Sequence, residues 1–148
     1  MHFLDDSERE ERLSRLQGCG IDVESARRFG QLEMEVWENA YLRDGRFDAA
    51  TMLEFIQEAL GTGVRRGFPR TRLWANMEWA LSEAPGVDDL ASYENRLNYI
   101  LPHYRDAVVC AYDLKRFSKF KLESIIRSHP YLLADGRVRQ NSHYVPPQ

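Results

Sequence analysis

The chain has 148 residues, a formal net charge of -3, and 43% hydrophobic and 29% charged residues. That is the composition of one domain able to bury a single core, and it excludes the clustered basic surface that nucleic acid or an anionic membrane attracts. No apolar run approaches the ~20 residues of a membrane span, no signal-peptide pattern opens the chain, and Cys19 and Cys110 lie far apart, so reduced thiols in the cytoplasm are expected.

Residues 1–30 read as a short strand at His2–Asp5 and two helices. Ser7 and Glu10 match a capping box, in which hydroxyl and carboxylate satisfy free backbone N–H groups at a helix start. Gly18 and Gly20 stop that helix, and Asp22 caps the second, which Gly30 ends. From 31 to 128 the pattern becomes strand, helix, strand. Leu32, Met34 and Val36 alternate with Glu33 and Glu35, the period of a half-buried strand, and a polar turn follows at Asp44-Gly45. After Asp48, apolar residues at 49, 52, 53, 56 and 60 have helical spacing, and Gly61, Gly63, Gly67 and Pro69 are expected to end the helix.

Thr71–Trp79 reads as a buried strand, followed by a loop and a helix capped by Asp88 or Asp89. Ala107–Asp113 is apolar without alternation, as in a parallel strand covered on both faces. Ser118 caps a last helix that ends near His129, before Pro130. Residues 131–140 form a hairpin through Asp135-Gly136, and 141–148 a tail extended and little fixed at its end. The expected fold is a single α/β domain of three layers, with a mainly parallel central sheet and a C-terminal β-hairpin.

In such sheets ligands collect where strands end. Asn76, Glu78 and Trp79 end one strand, and Tyr112 and Asp113 another. Carboxylates there can accept hydrogen bonds or hold a cation, and Trp79 or Trp37 can offer a flat wall. Equally, Glu78 or Asp113 could cap a helix or pair with Arg72, Arg96 or Arg116. Strand alternation sends Asn76 and Glu78 to one face, Met77 and Trp79 to the other. Trp74, in mid-strand, reads as core.

Several stretches together resemble the MEDS family of sensory domains, named for methanogens, methylotrophs and the dichloromethane regulator. They are Gly45-Arg-Phe-Asp48 with Met52-Leu53, Ala75–Ala80, Tyr93-Glu94 with Arg96-Leu-Asn98, Cys110–Asp113 with Arg116-Phe117, His129-Pro130, and Asn141–Tyr144 before Pro146. The resemblance implies a RecA-like relative without catalysis that senses a small organic compound. It implies signalling to a separate histidine kinase or transcription regulator, with a homodimer as a further option. It marks Tyr93, Glu94, Arg116 and His129 as signalling or structural positions beside the ligand residues Trp37, Asn76, Glu78, Trp79, Tyr112 and Asp113. Family members generally carry another strand and helix upstream, so a sheet edge near His2 is expected to be open to a partner chain.

Two alternatives stand beside this reading, a degenerate ATPase or hydrolase using Glu78 and Asp113, and a scaffold that needs no ligand. A phosphate loop, GxxxxGK[ST] between strand and helix, does not occur. Gly61–Gly67 follows a helix and precedes a strand, the wrong order for a phosphate cradle. Cys110, buried in an apolar strand, is expected to be inert. No cofactor is expected. Nor is a metal site, since His2, His103, His129 and His143 lack HxxxH or HExxH spacing.

Overall fold

A computed structural model describes residues 1–147. In chain order its elements are β1 (His2–Leu4), α1 (Arg9–Gly18), α2 (Val23–Arg28), β2 (Met34–Val36), α3 (Ala49–Arg65), β3 (Arg72–Asn76), α4 (Leu90–Ile100), β4 (Ala107–Ala111), α5 (Lys119–Ser128), β5 (Tyr131–Ala134) and β6 (Arg137–Gln140). The sheet runs β2-β1-β3-β4 with every neighbouring pair parallel, and β5 and β6 form a separate antiparallel hairpin.

Strand alternation sorts the side chains onto two faces. Phe3, Leu73, Ala75 and Met77 join a core with Met52, Leu53, Ile56 and Leu60 of α3 and Leu90, Tyr93 and Leu97 of α4. On the other face Trp74 and Asn76 meet α1, where the Arg12 guanidinium lies 5.7 Å from the Trp74 ring centre and donates to Asn76 Oδ1 at 3.3 Å. Helices therefore flank the sheet on both sides. β3 and β4 pair from Arg72↔Ala107 to Asn76↔Ala111, and Met77 N–H donates to Ala111 O at 2.9 Å, so the two strands end side by side.

Local chemistry behaves as the sequence suggests at the starts of α2 and α5, and the start of α3 has a side-chain cap as well. Asp22 accepts from Ser25 N–H, Asp48 from Thr51 N–H and Ser118 from Lys121 N–H. The hairpin turn has φ of 50° at Asp135 and 72° at Gly136, as a two-residue connection requires.

Other expectations are corrected. The capping box is Asp5 with Glu8, two residues before the expected pair; a short turn at Asp6–Glu8 precedes α1, so the chain leaves β1 sooner. β1 is interior, paired with both β2 and β3, and the sheet edges are β2 and β4. β4 is only partly buried, with Ala107 exposed and Val108 and Cys110 packed against the core. α3 runs through Gly61 and Gly63 to Arg65; Gly63 is needed there because a Cβ would lie 2.1 Å from Thr71 Oγ1. β3 stops at Asn76, and Glu78 and Trp79 lie in a following 3-10 turn. Neither Asp88 nor Asp89 caps α4 through its side chain; a turn over Val87–Asp89 leads directly into it. Trp74 is half-buried against α1 and lies outside the core cluster. Val145 is tied down, its N–H donating to Arg127 O at 2.9 Å, while Gln148 lies outside the described residues.

Candidate functional site

The chain places its strand-end residues in two clusters with an aromatic stack in the core beside them. The first cluster gathers on the α1 side of β3 around a buried Asn76, with Glu78 half-buried and Asp113 exposed at its outer side. Asn76 is its hub. Its amide donates to Glu8 Oε2 at 2.9 Å, its Oδ1 accepts from Trp74 Nε1 at 3.2 Å as well as from Arg12, and its backbone carbonyl accepts from Trp37 Nε1 at 3.0 Å. Glu78 follows, with 20% of its side chain exposed and Oε1 3.8 Å from the Arg116 guanidinium. Partial burial raises the Glu78 pKa, the Glu8 and Asp113 carboxylates push the same way, and Arg116 opposes them. Asp113 turns part of its carboxylate to its own loop, accepting from Lys115 N–H at 2.9 Å. Of the alternatives for Glu78, pairing with Arg116 is the one realised.

The second cluster is closed. Glu94, on the buried face of α4, has 2% of its side chain exposed and accepts from Tyr112 Oη and, at 2.9 Å, from Ser128 Oγ. His129 Nε2 stands 3.7 Å from Glu94 Oε1. Burial raises the Glu94 pKa, offset by His129 and the two hydroxyl donors. Burial also raises the Cys110 thiol, with the Glu94 carboxylate adding to it. Thus the desolvated Cys110 of the sequence reading is present, but it faces polar groups. Tyr112 belongs here and not with Glu78 and Asp113, because one residue along an extended chain reverses the side-chain direction.

Trp79 is also displaced from the expected crevice. It is 1% exposed, stacks on Tyr41 at 4.6 Å with 17° between planes, and lies 4.7 Å from Phe47. Tyr93 closes the cluster edge-on, 5.4 Å from Phe47 and 6.2 Å from Tyr41. The ring therefore forms core and offers no wall to solvent. The loops that it backs are joined, Phe47 N–H donating to Pro85 O at 2.9 Å. Gly86, at φ 87°, is required at that contact, since a Cβ would meet Phe47 O at 2.0 Å.

Among the surface hollows, one of about 310 Å³ lies against α1, α2 and β2, lined by residues including Arg9, Leu13, Arg27 and Met34. Another, of about 200 Å³, lies at the loop after β2 and the start of α3, and reaches Tyr41, Arg43, Asp44 and Thr51. Neither includes Asn76, Glu78, Asp113 or the other expected ligand residues.

Sequence reasoning missed Glu8 and Arg12 as members of the first cluster. The Asp5-x-x-Glu8 capping pattern was the available signal, because a helix that follows a parallel strand starts at that strand's carboxyl end. Ser128 and the placement of Cys110 beside Glu94 carried no comparable local mark.

The family model described as MEDS, MEthanogen/methylotroph, DcmR Sensory domain, matches residues 1–130. The chain belongs to the MEDS family. The match covers the four-stranded sheet, all five helices and both polar clusters, and stops before the hairpin. No curated protein and no solved structure matches the chain. Among the described residues of this MEDS domain no helix is long and apolar enough to cross a membrane.

Proposed function

We propose that this MEDS domain is a non-catalytic sensor that detects a small organic compound and passes the signal to a separate regulatory protein, a histidine kinase or transcription regulator. The observation that carries the reading is the family match over residues 1–130. The first cluster supports a location for the ligand. Glu78 and Asp113 present acceptors just beyond neighbouring strand ends, above the buried Asn76 amide that Glu8, Trp74 and Arg12 hold in place, and Trp37 supplies an aromatic surface anchored to the Asn76 carbonyl. Trp79 and Tyr112 lie behind this surface. A compound with a hydrogen-bonding or cationic head suits the carboxylates better than a wholly apolar one.

Signalling follows by population shift: the ligand favours whichever loop arrangement binds it better, by no more than its difference in affinity. The segments 38–46 and 80–87 are the moving parts in this reading. They move together because the Phe47–Pro85 hydrogen bond and the Tyr41–Trp79 stack join them.

Catalysis is the weaker reading, since the phosphate loop that an ATPase requires has no counterpart in the sequence. A scaffold role has one observation in its favour. Tyr131, Leu133 and Val138 of the hairpin are 62%, 55% and 70% exposed, with Leu133 and Val138 directly paired across the strands. A thermal-shift screen with methanol, methylamine, dichloromethane and short alcohols and carboxylic acids, run beside light scattering, separates the readings. The sensor reading expects a saturable rise in melting temperature with at least one compound. No response to any compound, together with a mass that grows with protein concentration, would replace it with the scaffold.

A further inference from the structure

The fold assembles a group of side chains that no sequence spacing announces. Glu94 comes from α4, Cys110 from β4, and His129 from the end of α5. Their carboxylate, thiol and imidazole offer ligand atoms that all lie within 4.8 Å of one another. We propose that Glu94, Cys110 and His129 form a binding site for a single divalent transition-metal ion of the zinc class.

The geometry is close to what such an ion needs. Three atoms no more than 4.8 Å apart share a point within about 2.8 Å of each, against the about 2.0–2.3 Å of zinc–ligand bonds. The His129 Nε2 to Glu94 Oε1 separation is 3.7 Å, and two tetrahedral oxygen and nitrogen ligands sit about 3.3 Å apart. Rotamer adjustments of a few tenths of an ångström at Glu94 and somewhat more at the thiol close the set.

The imidazole is oriented for the task. His129 Nδ1 lies 2.8 Å from Ile125 O. A carbonyl only accepts, so Nδ1 carries the proton and Nε2 of the neutral ring presents a lone pair toward Glu94. An outer hydrogen bond of this kind to a backbone carbonyl is what fixes metal-binding histidines. Asn141 holds the same residue from the tail, its amide donating to His129 O and Ile126 O, both at 2.7 Å. Glu94 is similarly fixed by Tyr112 and Ser128.

Charge supplies the reason for an occupant. A carboxylate with 2% exposure has no Lys or Arg partner among the salt bridges of the described residues. A divalent ion would displace the Cys110 proton, and the Glu94 proton where one is held, leaving thiolate, carboxylate and neutral imidazole around a +2 charge. The formal sum is zero, the state that a buried site tolerates best. One sulfur, one nitrogen and one oxygen donor suit zinc and its neighbours and not calcium or magnesium, which take oxygen. Three protein ligands leave a fourth position for water or the Tyr112 phenol. Bound metal would tie α4, β4 and α5 together whether or not the domain senses an organic compound.

The test uses the full chain, stripped with EDTA and titrated with CoCl₂ and then ZnCl₂. The proposal expects a near-ultraviolet thiolate-to-cobalt absorption that saturates at one equivalent and is removed by zinc. Cys110→Ala should abolish this band, and Cys19→Ala, at the exposed cysteine, should leave it. His129→Gln, at a side chain 24% exposed, should weaken zinc by more than the about 10–100-fold that losing an outer partner costs. Circular dichroism establishes that each variant is folded, and His129→Gln serves if Cys110→Ala is not. No saturable band in the wild type, a band that survives Cys110→Ala, or equal zinc affinity in His129→Gln would overturn the site.

Discussion

Glu78 and Glu94 are both glutamates whose pKa is raised by burial, yet they stand in opposite situations. Glu78 lies in the turn just after β3 among other carboxylates, partly wet, with a single arginine at 3.8 Å. Glu94 sits in the interior with hydroxyl donors on both oxygens and an imidazole beside it. The first arrangement leaves acceptors free for an external partner. The second occupies the carboxylate with neighbours from β4 and α5 and makes it part of the packing. Exposure and satisfied hydrogen bonds, more than residue type, separate a surface that can recognise something from one that holds the fold.

The contrast breaks most readily at the aromatic stack. Trp79→Ala removes a fully buried ring from Tyr41 and Phe47 and should cost about 3–5 kcal/mol in urea unfolding. A loss below about 1 kcal/mol would mean that Trp79 is not the core residue described. It also follows that Trp79→Ala is a poor probe of binding, because it damages the loops' support first.

Glu94→Ala leaves the buried Tyr112 hydroxyl without its acceptor, while Ser128 Oγ keeps the Ile125 carbonyl at 2.7 Å, and should cost about 1–3 kcal/mol in EDTA. Equal effects of Glu94→Ala and Glu78→Ala on stability would erase the distinction between the clusters.

A third group calibrates both. Burial, the nearby terminal amino group and Arg12 lower the His2 pKa from 6.5 to about 4. Between those values the unfolded chain binds the proton and the folded chain does not, so stability falls as pH drops from about 6.5 to 4 and levels off below. Allowing for solvent screening at a partly exposed ring, the loss is about 1 kcal/mol. His2→Gln should flatten that part of a pH series of chemical melts, and an unchanged slope would contradict the placement of β1.

The smallest effect is expected at Glu78. Since its folded pKa is raised, any stability it contributes is present at low pH and fades as pH climbs through that pKa. Glu78→Gln should therefore leave stability at pH 7 within about 0.5 kcal/mol, or slightly higher. A large destabilisation would make Glu78 a structural residue.

What the sequence made legible was local. Asp22 and Ser118 announced helix starts because a cap needs only a residue and its near neighbours, and Asp135-Gly136 announced a turn for the same reason. Alternation over a strand to Trp79 did not apply, because β3 ends at Asn76 and a 3-10 turn carries Glu78 outward and Trp79 into the core. The rest depended on position in the sheet. Nothing in His2–Leu4 says that it lies between two strands, and nothing near Tyr112 says that it turns to an acid on α4. Glu94, Cys110 and His129 were each quoted among the family stretches, but their meeting is a consequence of packing across distant segments.

The central claim is that the first strand-end cluster recognises the compound. Its most direct measurement is calorimetric titration of the compound found by the screen into the wild-type chain and into Glu78→Gln with Asp113→Asn. The account predicts saturable binding by the wild type and at least a tenfold loss in the double variant, equivalent to about 1.4 kcal/mol, with both proteins equally stable. Unchanged affinity in the double variant would contradict it.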